Sequence, residues 1–383
     1  MKLVYCDLIA YEGLHTGVNS ALIKVMDLTF QPEIIEFYAE KNHLDICKKK
    51  IIAKNIVFKN LQLLPKSMVG GLKTILKDII GCFYILKIFL TTKNEDVICI
   101  ALAYPFAQFS VFMFNKIFKR TNVFVCQHGE LELLFNKKAY PIFKRHYFSI
   151  EEILLNKKSK IRNIIFGETI YNNIKVKFPN INAIVIDHPY VYDYVNSNNV
   201  NVEFNPLIIG VIGNTGVNKG TEYVFQLSDL LRDYILEGKL IVKIVGKLAD
   251  VYKEYDKGLV INQHTGIIPE EIFQSEIESL HYALLLRNND MNKFTASGTF
   301  FDIVKYKKPY LSFQGEYIGY YYNKNPNAGE LFDDIFQIAD RIKKIIENRS
   351  QSVIDYRKSI EGISELQNDL SLSSIAKKFS QQV

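Results

Sequence analysis

Residues Gly210–Tyr223 read GVIGNTGVNKGTEY. The apolar run Leu207–Ile212 ends in a loop carrying Gly213, Asn214, Thr215, Gly216, Lys219 and Gly220, and Thr221 and Glu222 then open a helical stretch. Strand, glycine-rich turn and helix in that order begin a parallel α/β unit. Glycines let the backbone approach a ligand closely, and the first N–H groups of a helix attract an anion. Lys219 adds a cation at the same rim. The order is neither a Walker loop nor a strict G-x-G-x-x-G, so the turn reads either as a phosphate cradle or as a ligand-free βα turn.

The same alternation runs outward in both directions. Toward the C-terminus, apolar runs predict strands at Leu240–Val245, Leu259–Ile261, Tyr282–Leu286 and Pro309–Phe313. Helical periodicity lies between and beyond them, at Gly220–Tyr234, Pro269–Ser275, Gly298–Lys305 and Leu331–Asn348, and residues 350–383 read as one or two closing helices. Toward the N-terminus, strands are predicted at Leu3–Cys6, Ile34–Tyr38, Ile98–Leu102, Val123–Cys126, Asn163–Phe166 and Ala183–Ile186, with helices at Asn19–Asp27, Gly71–Leu90 and Gln108–Phe118. Strands alternating with helices mean an α/β fold with mainly parallel sheets. The Asn- and Tyr-rich stretch DHPYVYDYVNSNNVNVEFN, Asp187–Asn205, lacks periodicity and reads as a connection between domains. This leaves residues 1–188 as a first domain and a second one from residue 206, as the length of 383 residues favours.

Composition narrows the class. With 48% hydrophobic and 23% charged residues the chain is neither disordered nor low-complexity. The net charge of +6 is divided unevenly: residues 1–188 carry +10 and residues 189–383 carry −4. A basic front half favours an anionic partner such as a membrane surface. Its Lys- and aromatic-rich runs, Phe112–Arg120, Lys137–Tyr147 and Lys157–Arg162, suit that partner, whereas no nucleic-acid reader is organised in them. The five cysteines form no C-x-x-C pair and read as free thiols of a reducing cytosol. The N-terminus runs straight into a strand pattern, so no signal peptide is expected. Val97–Phe114 is uncharged for 18 residues, but Pro105 divides it into a strand and a helix rather than a membrane span.

Four further stretches bear polar groups at predicted strand ends. Leu284–Phe313, LLLRNNDMNKFTASGTFFDIVKYKKPYLSF, ends a strand at Arg287 and places Ser297, Gly298 and Thr299 at a helix start, a second anion cradle. Asn262–Pro269, NQHTGIIP, offers His264, Gly266 and the apolar pair Ile267 and Ile268, which could pack on a flat base. Tyr11–Asn19, YEGLHTGVN, follows the first strand with Glu12 and His15. Cys126–Leu134, CQHGELELL, follows another with His128 and Glu130, which read as a general-base pair or as loop polars capping a helix. No metal-ligand spacing and no G-x-S-x-G elbow is present.

The back half resembles the nucleotide-sugar half of GT-B glycosyltransferases, in particular bacterial enzymes that build capsules, O-antigens and exopolysaccharides. The residues that carry the likeness are the loop ending in Asn218–Gly220, then VKIVGK (Val242–Lys247), HTGIIPEEI (His264–Ile272) and the Tyr282–Leu311 stretch. The resemblance implies two Rossmann-like domains facing each other across a cleft. They would be an acceptor-binding domain (1–188) and a nucleotide-sugar domain (206–365), with a C-terminal helix (366–383) returning to the first. It implies a donor diphosphate held by Gly213, Asn214, Thr215, Lys219, Ser297, Gly298 and Thr299. The base would lie near Lys247, His264, Gly266 and Ile268, and the ribose near Asp302. It also implies a cytoplasmic enzyme of the hexosyltransferase type, peripheral on the inner face of the cell membrane, acting on a glycan or lipid-linked acceptor without metal or cofactor. The large retaining branch carries two glutamates where this chain has Thr295 and Ile303. That departure puts a retaining mechanism in doubt and leaves the stereochemical outcome open. An inverting transfer would need a base from the front domain, Glu130 first, then Glu12, with His15 and His128 as the further candidates. Two alternatives stay open: a sugar-nucleotide epimerase or hydrolase on the same fold, and a degenerate, non-catalytic transferase partner.

Overall fold

The structure is a computed structural model. It describes all residues except 52, 54, 68–70, 129, 136–146, 148, 151, 156–158, 194–203, 217–218, 263, 265, 267 and 288–292, and excludes the side chains of Glu130 and Leu133. The centre of the Asp187–Asn205 connection, much of the Lys137–Tyr147 and Lys157–Arg162 runs, and Asn218 therefore lie outside the described residues. Contacts divide the chain into two units. The first is Met1–Val191 with Phe294–Ala296 and Leu370–Val383, and the second is Tyr192–Lys293 with Ser297–Asp369.

The first unit is a seven-stranded parallel sheet in the order β3-β2-β1-β4-β5-β6-β7. Its strands are β1 (Lys2–Asp7), β2 (Ile34–Ala39), β3 (Ile56–Asn60), β4 (Val97–Leu102), β5 (Asn122–Gln127), β6 (Arg162–Phe166) and β7 (Ala183–Ile186). The helices are α1 (Thr16–Phe30), α2 (Lys41–Lys50), α3 (Gly71–Thr91), α4 (Pro105–Phe118), α5 (Glu130–Phe135) and α6 (Glu168–Lys177). Successive strand residues enter two separate cores: Leu3, Tyr5 and Cys99 face one layer, and Val4, Cys6 and Ile100 the other. Both faces are covered, which is why these strands read as continuous apolar runs.

The second unit is a six-stranded parallel sheet, β10-β9-β8-β11-β12-β13. It contains β8 (Leu207–Ile212), β9 (Leu240–Val245), β10 (Val260–Ile261), β11 (Tyr282–Leu285), β12 (Tyr310–Phe313) and β13 (Gly329–Phe332). Its helices are α7 (Thr221–Leu230), α8 (Arg232–Leu236), α9 (Glu270–Ser279), α10 (Gly298–Lys305), α11 (Glu316–Lys324), α12 (Ile335–Glu347) and α13 (Arg349–Asp369). The last helix, α14 (Leu372–Ser380), buries Ile375, Ala376 and Phe379 in the first unit's core against α1. It is fastened there by Lys378 Nζ on Asp187 Oδ2 at 2.8 Å and by Gln382 bonded to both backbone groups of Val185.

Several details differ from the sequence reading, among them the helices α2, α6 and α11, which it lacks. The predicted helix Gly220–Tyr234 breaks at Leu231 into α7 and α8. The predicted helix Leu331–Asn348 starts only at Ile335, because Asp334 caps it through Gln337 N at 2.9 Å and the residues before it complete β13. Strands β3 and β13 were not anticipated, and both are sheet edges. Val97–Phe114 divides as β4 and α4, and no helix among the described residues is long and apolar enough to cross a membrane.

Candidate active site

In each sheet the strand order reverses beside its first strand, between β1 and β4 and between β8 and β11. Ligands of open α/β sheets bind beyond the carboxyl ends at such a reversal. The second unit places a pocket there, walled by Gly213, Lys219, Thr221, Leu286, Arg287 and Thr299.

Backbone contact builds this pocket. Gly220 has φ +65°, and a Cβ on it would lie 1.8 Å from Leu286 O, so the loop presses directly onto the end of β11. A Cβ on Gly246 would lie 2.1 Å from Gly213 O, which joins the ends of β8 and β9 in the same way. Thr299 Oγ1 and Lys219 Nζ converge on Gly213, at 3.4 and 3.9 Å from where its Cβ would stand. Thr299 Oγ1 also donates to Ile212 O at 3.3 Å.

The electrostatics of the pocket are those of an anion site. Burial, then the nearby Arg287 charge, pull the Lys219 ammonium below the usual lysine range, and Asp302 opposes the shift. Burial likewise lowers Arg287. Two cations are thus held together in a partly desolvated pocket, an arrangement that a bound anion relieves. Among the described residues Lys219 makes no salt bridge.

Other residues named from the sequence are placed differently. Thr215 Oγ1 donates to Lys247 O and accepts from Ala249 N, and Asn214 Oδ1 accepts from Lys247 N, so both side chains brace one loop against the next. Lys247 is exposed. The His264 ring is engaged through Nε2 by Glu276 Oε1 of α9 at 2.7 Å. Gly266 and Gly298 are exposed, with no atom near enough to require glycine, and Ile268 is half-buried. Ser297 precedes α10 without a side-chain cap. Asp302 lies near enough to Lys219 to act on its charge.

The first unit gathers histidines at its own strand ends. His15 follows β1, His128 follows β5 and His188 follows β7. The rings of His15 and His128 are 5.2 Å apart, and Phe166 lies 4.8 Å from His128 and 5.3 Å from His188. Burial and mutual repulsion hold these imidazoles neutral: His128 is pushed well below the usual range and His188 to about 4. His15 is also lowered, mainly by burial, and its Nδ1 is buried without a partner. A polar relay stands behind the cluster. Asp7 Oδ2 accepts from Asn19 Nδ2 at 2.7 Å, and Asn19 contacts His43 Nε2 at 2.9 Å. His43 Nδ1 lies 3.0 Å from Glu12 O, so the ring donates there and accepts from Asn19. The Glu12 carboxylate itself is exposed and paired with Lys66 at 2.9 Å.

Glu130 opens α5 immediately after the His128 turn. Two residues on, Glu132 accepts from Phe294 N at 3.2 Å and from Thr295 Oγ1 at 3.3 Å, all within the first unit. Burial outweighs these bonds and raises its pKa. Sequence reasoning passed over Glu132, His43 and His188. Glu132 was legible only as a second glutamate in ELELL, and His188 stood in a stretch read as linker. No group of three or more His, Cys, Asp or Glu among the described residues is arranged to hold a metal ion.

No family model and no curated protein matches the sequence. Solved structures do match its fold. HepE of Anabaena, solved with UDP and glucose, aligns over 100% of this chain and 98% of its own, with a TM-score of 0.63 and 12% identity. An α,α-trehalose-phosphate synthase (UDP-forming) of Burkholderia vietnamiensis aligns over 100% and 99%, with a TM-score of 0.65 and 10% identity. TarM aligns over 80% of this chain at a TM-score of 0.57 and 16% identity, and the chain spans only 58% of TarM. The two parallel sheets, the returning terminal helix and these likenesses give the chain the GT-B fold.

Proposed function

We propose that this protein is a glycosyltransferase that moves a sugar from a nucleoside diphosphate donor to a glycan acceptor. The observation that carries the reading is the Lys219–Arg287 pocket at the β8/β11 reversal, built by obligatory backbone contacts and lacking a carboxylate salt bridge on Lys219. Its two neighbouring cations suit a diphosphate, and the solved structures of the same fold include one in complex with UDP and glucose.

In the reaction the bond between the anomeric carbon and the diphosphate oxygen breaks, and a bond to the acceptor oxygen forms. The leaving diphosphate gains negative charge. Lys219, Arg287, Thr299 Oγ1 and the first N–H groups of α10 stabilise it. The acceptor hydroxyl loses its proton to a base of the first domain, residues 1–188. Glu130 and the neutral imidazoles of His128 and His15 are the groups assigned to that step, and Glu132, with its raised pKa, is a further carboxyl for it. Thr295 and the buried Ile303 stand where the retaining branch carries its two glutamates and supply no carboxylate there, which supports an inverting outcome.

The acceptor assigned is a lipid-linked glycan of a bacterial surface polysaccharide, handled at the inner face of the cell membrane. The +10 charge of residues 1–188 supports that setting. The test is a panel of UDP-, GDP- and ADP-sugars incubated with the protein and lipid-linked saccharides. One donor should release its nucleoside diphosphate and extend the acceptor, and the Lys219→Ala variant should not. Folded protein that releases nucleoside diphosphate from none of them would sink the reading.

A further inference from the structure

Helices α3 and α4 lie side by side on one layer of the first sheet, where Ile85, Ile88, Phe89, Ala107, Val111 and Phe112 enter a shared core. The pair is rigidly joined. A Cβ on Gly81 would stand 3.2 Å from Ala107 Cβ, so the helices touch at that point. The buried Asp78 of α3 accepts from Phe106 N at 2.7 Å and Ala107 N at 2.6 Å, which caps α4, and it also accepts from Tyr147 OH at 2.5 Å.

The opposite face of this pair is apolar and uncovered. On α3 the side chains of Leu72, Leu76, Ile79, Phe83 and Leu90 are exposed, Leu72 to 86% and Phe83 to 69%. At about 100° per residue they fall within an arc of about 60°. On α4, which packs beside α3, Phe109, Met113 and Ile117 recur every fourth residue and are exposed as well, Ile117 to 67%. Scattered exposed leucines are ordinary, whereas a contiguous stripe on two locked helices is a contact surface. The exposed charges on the two helices have one sign. Lys73, Lys87, Lys116 and Lys119 are exposed. The only acidic residue of α3 is the buried Asp78, and α4 has none.

We propose that this α3/α4 face seats the protein on an anionic phospholipid bilayer, with the apolar stripe in the headgroup boundary and the lysines against lipid phosphates. An apolar stripe bordered by lysine is the pattern of an interfacial helix. The assignment deepens the membrane setting proposed above and is independent of the transfer chemistry.

The full chain is tested by co-sedimentation with phosphatidylcholine vesicles, with and without phosphatidylglycerol. Wild type should bind the anionic vesicles, more weakly as salt rises. Replacing Leu72, Phe83 and Ile117 together by Asn should lower binding by at least about ten-fold. Lys73→Gln and Lys116→Gln should each lower it by about five-fold. All five positions are exposed, so nucleoside diphosphate binding and thermal unfolding of the variants should match wild type. Three results would overturn the proposal: wild type that ignores anionic vesicles, an apolar triple variant that binds them as wild type does, or a wild-type dimer that the triple variant dissociates. Vesicle binding without nucleotide-sugar turnover would leave this face assigned and remove the transferase reading. Turnover without vesicle binding would do the reverse.

Discussion

The two sheets reverse their strand order in the same way, yet the groups beyond that reversal differ. In the second unit the loop after β8 is glycine pressed on backbone, and the cations beside it are Lys219 of that loop and Arg287 beyond β11. In the first unit the corresponding region holds His15, His128 and His188, each lowered toward neutrality by burial, with the Asp7–Asn19–His43 relay behind them. Burial acts on both, with opposite consequences. It leaves two cations close together in one place, where we propose a diphosphate, and imidazoles lowered toward neutrality in the other, where we propose the acceptor hydroxyl. The fold supplies the location and the side chains choose the ligand.

The contrast can be broken at either end. The largest effect is expected from Gly220→Ala, which drives a Cβ into Leu286 O from a left-handed backbone. It should cost more than about 4 kcal/mol in urea unfolding and abolish nucleotide binding. Gly13→Ala, in the β1 loop of the other unit, meets no atom within 4 Å and should change stability by less than about 0.5 kcal/mol. A similar cost at both sites would show that the β8 loop is not held as described.

Acidification should separate the units next. His188 has a folded pKa of about 4 against an ordinary 6.5, so between those values the unfolded chain binds a proton that the folded chain refuses. Its contribution, about 3 kcal/mol, is present above pH 6.5 and is lost as pH falls toward 4. His188→Phe should flatten the pH profile of the unfolding midpoint in that window, and parallel profiles would remove the effect. Lys219→Met should weaken nucleoside diphosphate binding by about 10- to 100-fold. Relief of a buried like-charge contact should leave its stability equal to or above wild type. His128→Gln should leave nucleotide affinity unchanged and lower turnover by about 100-fold. Glu12→Gln should do least, less than about 1 kcal/mol with turnover intact, because its carboxylate is an exposed partner of Lys66.

Much of the fold was legible because parallel strands inside a sheet are written as apolar runs: β8 and β9 have the limits their sequence implies, and so does the edge strand β7, whose four residues AIVI are all apolar. The unread strands, β3 and β13, are edges whose side chains are partly exposed, so their runs are short and mixed with polar residues. The glycine loop and Lys219 were visible as a motif. The use of Asn214 and Thr215 as braces was not, because nothing local shows that the backbone of Lys247 and Ala249 lies opposite them. His43 and His188 were unread for the same reason. Each joins the cluster from a distant segment, and only the sheet order brings β1, β5 and β7 ends together.

The account rests most on the Lys219–Arg287 pocket. Its most direct test is a calorimetric titration of UDP, GDP and ADP into wild type, Lys219→Met and His128→Gln. The prediction is saturable one-to-one binding of one of these nucleotides, at least about ten-fold weaker in Lys219→Met and unchanged in His128→Gln. Binding of none, or equal binding by wild type and Lys219→Met, would contradict it.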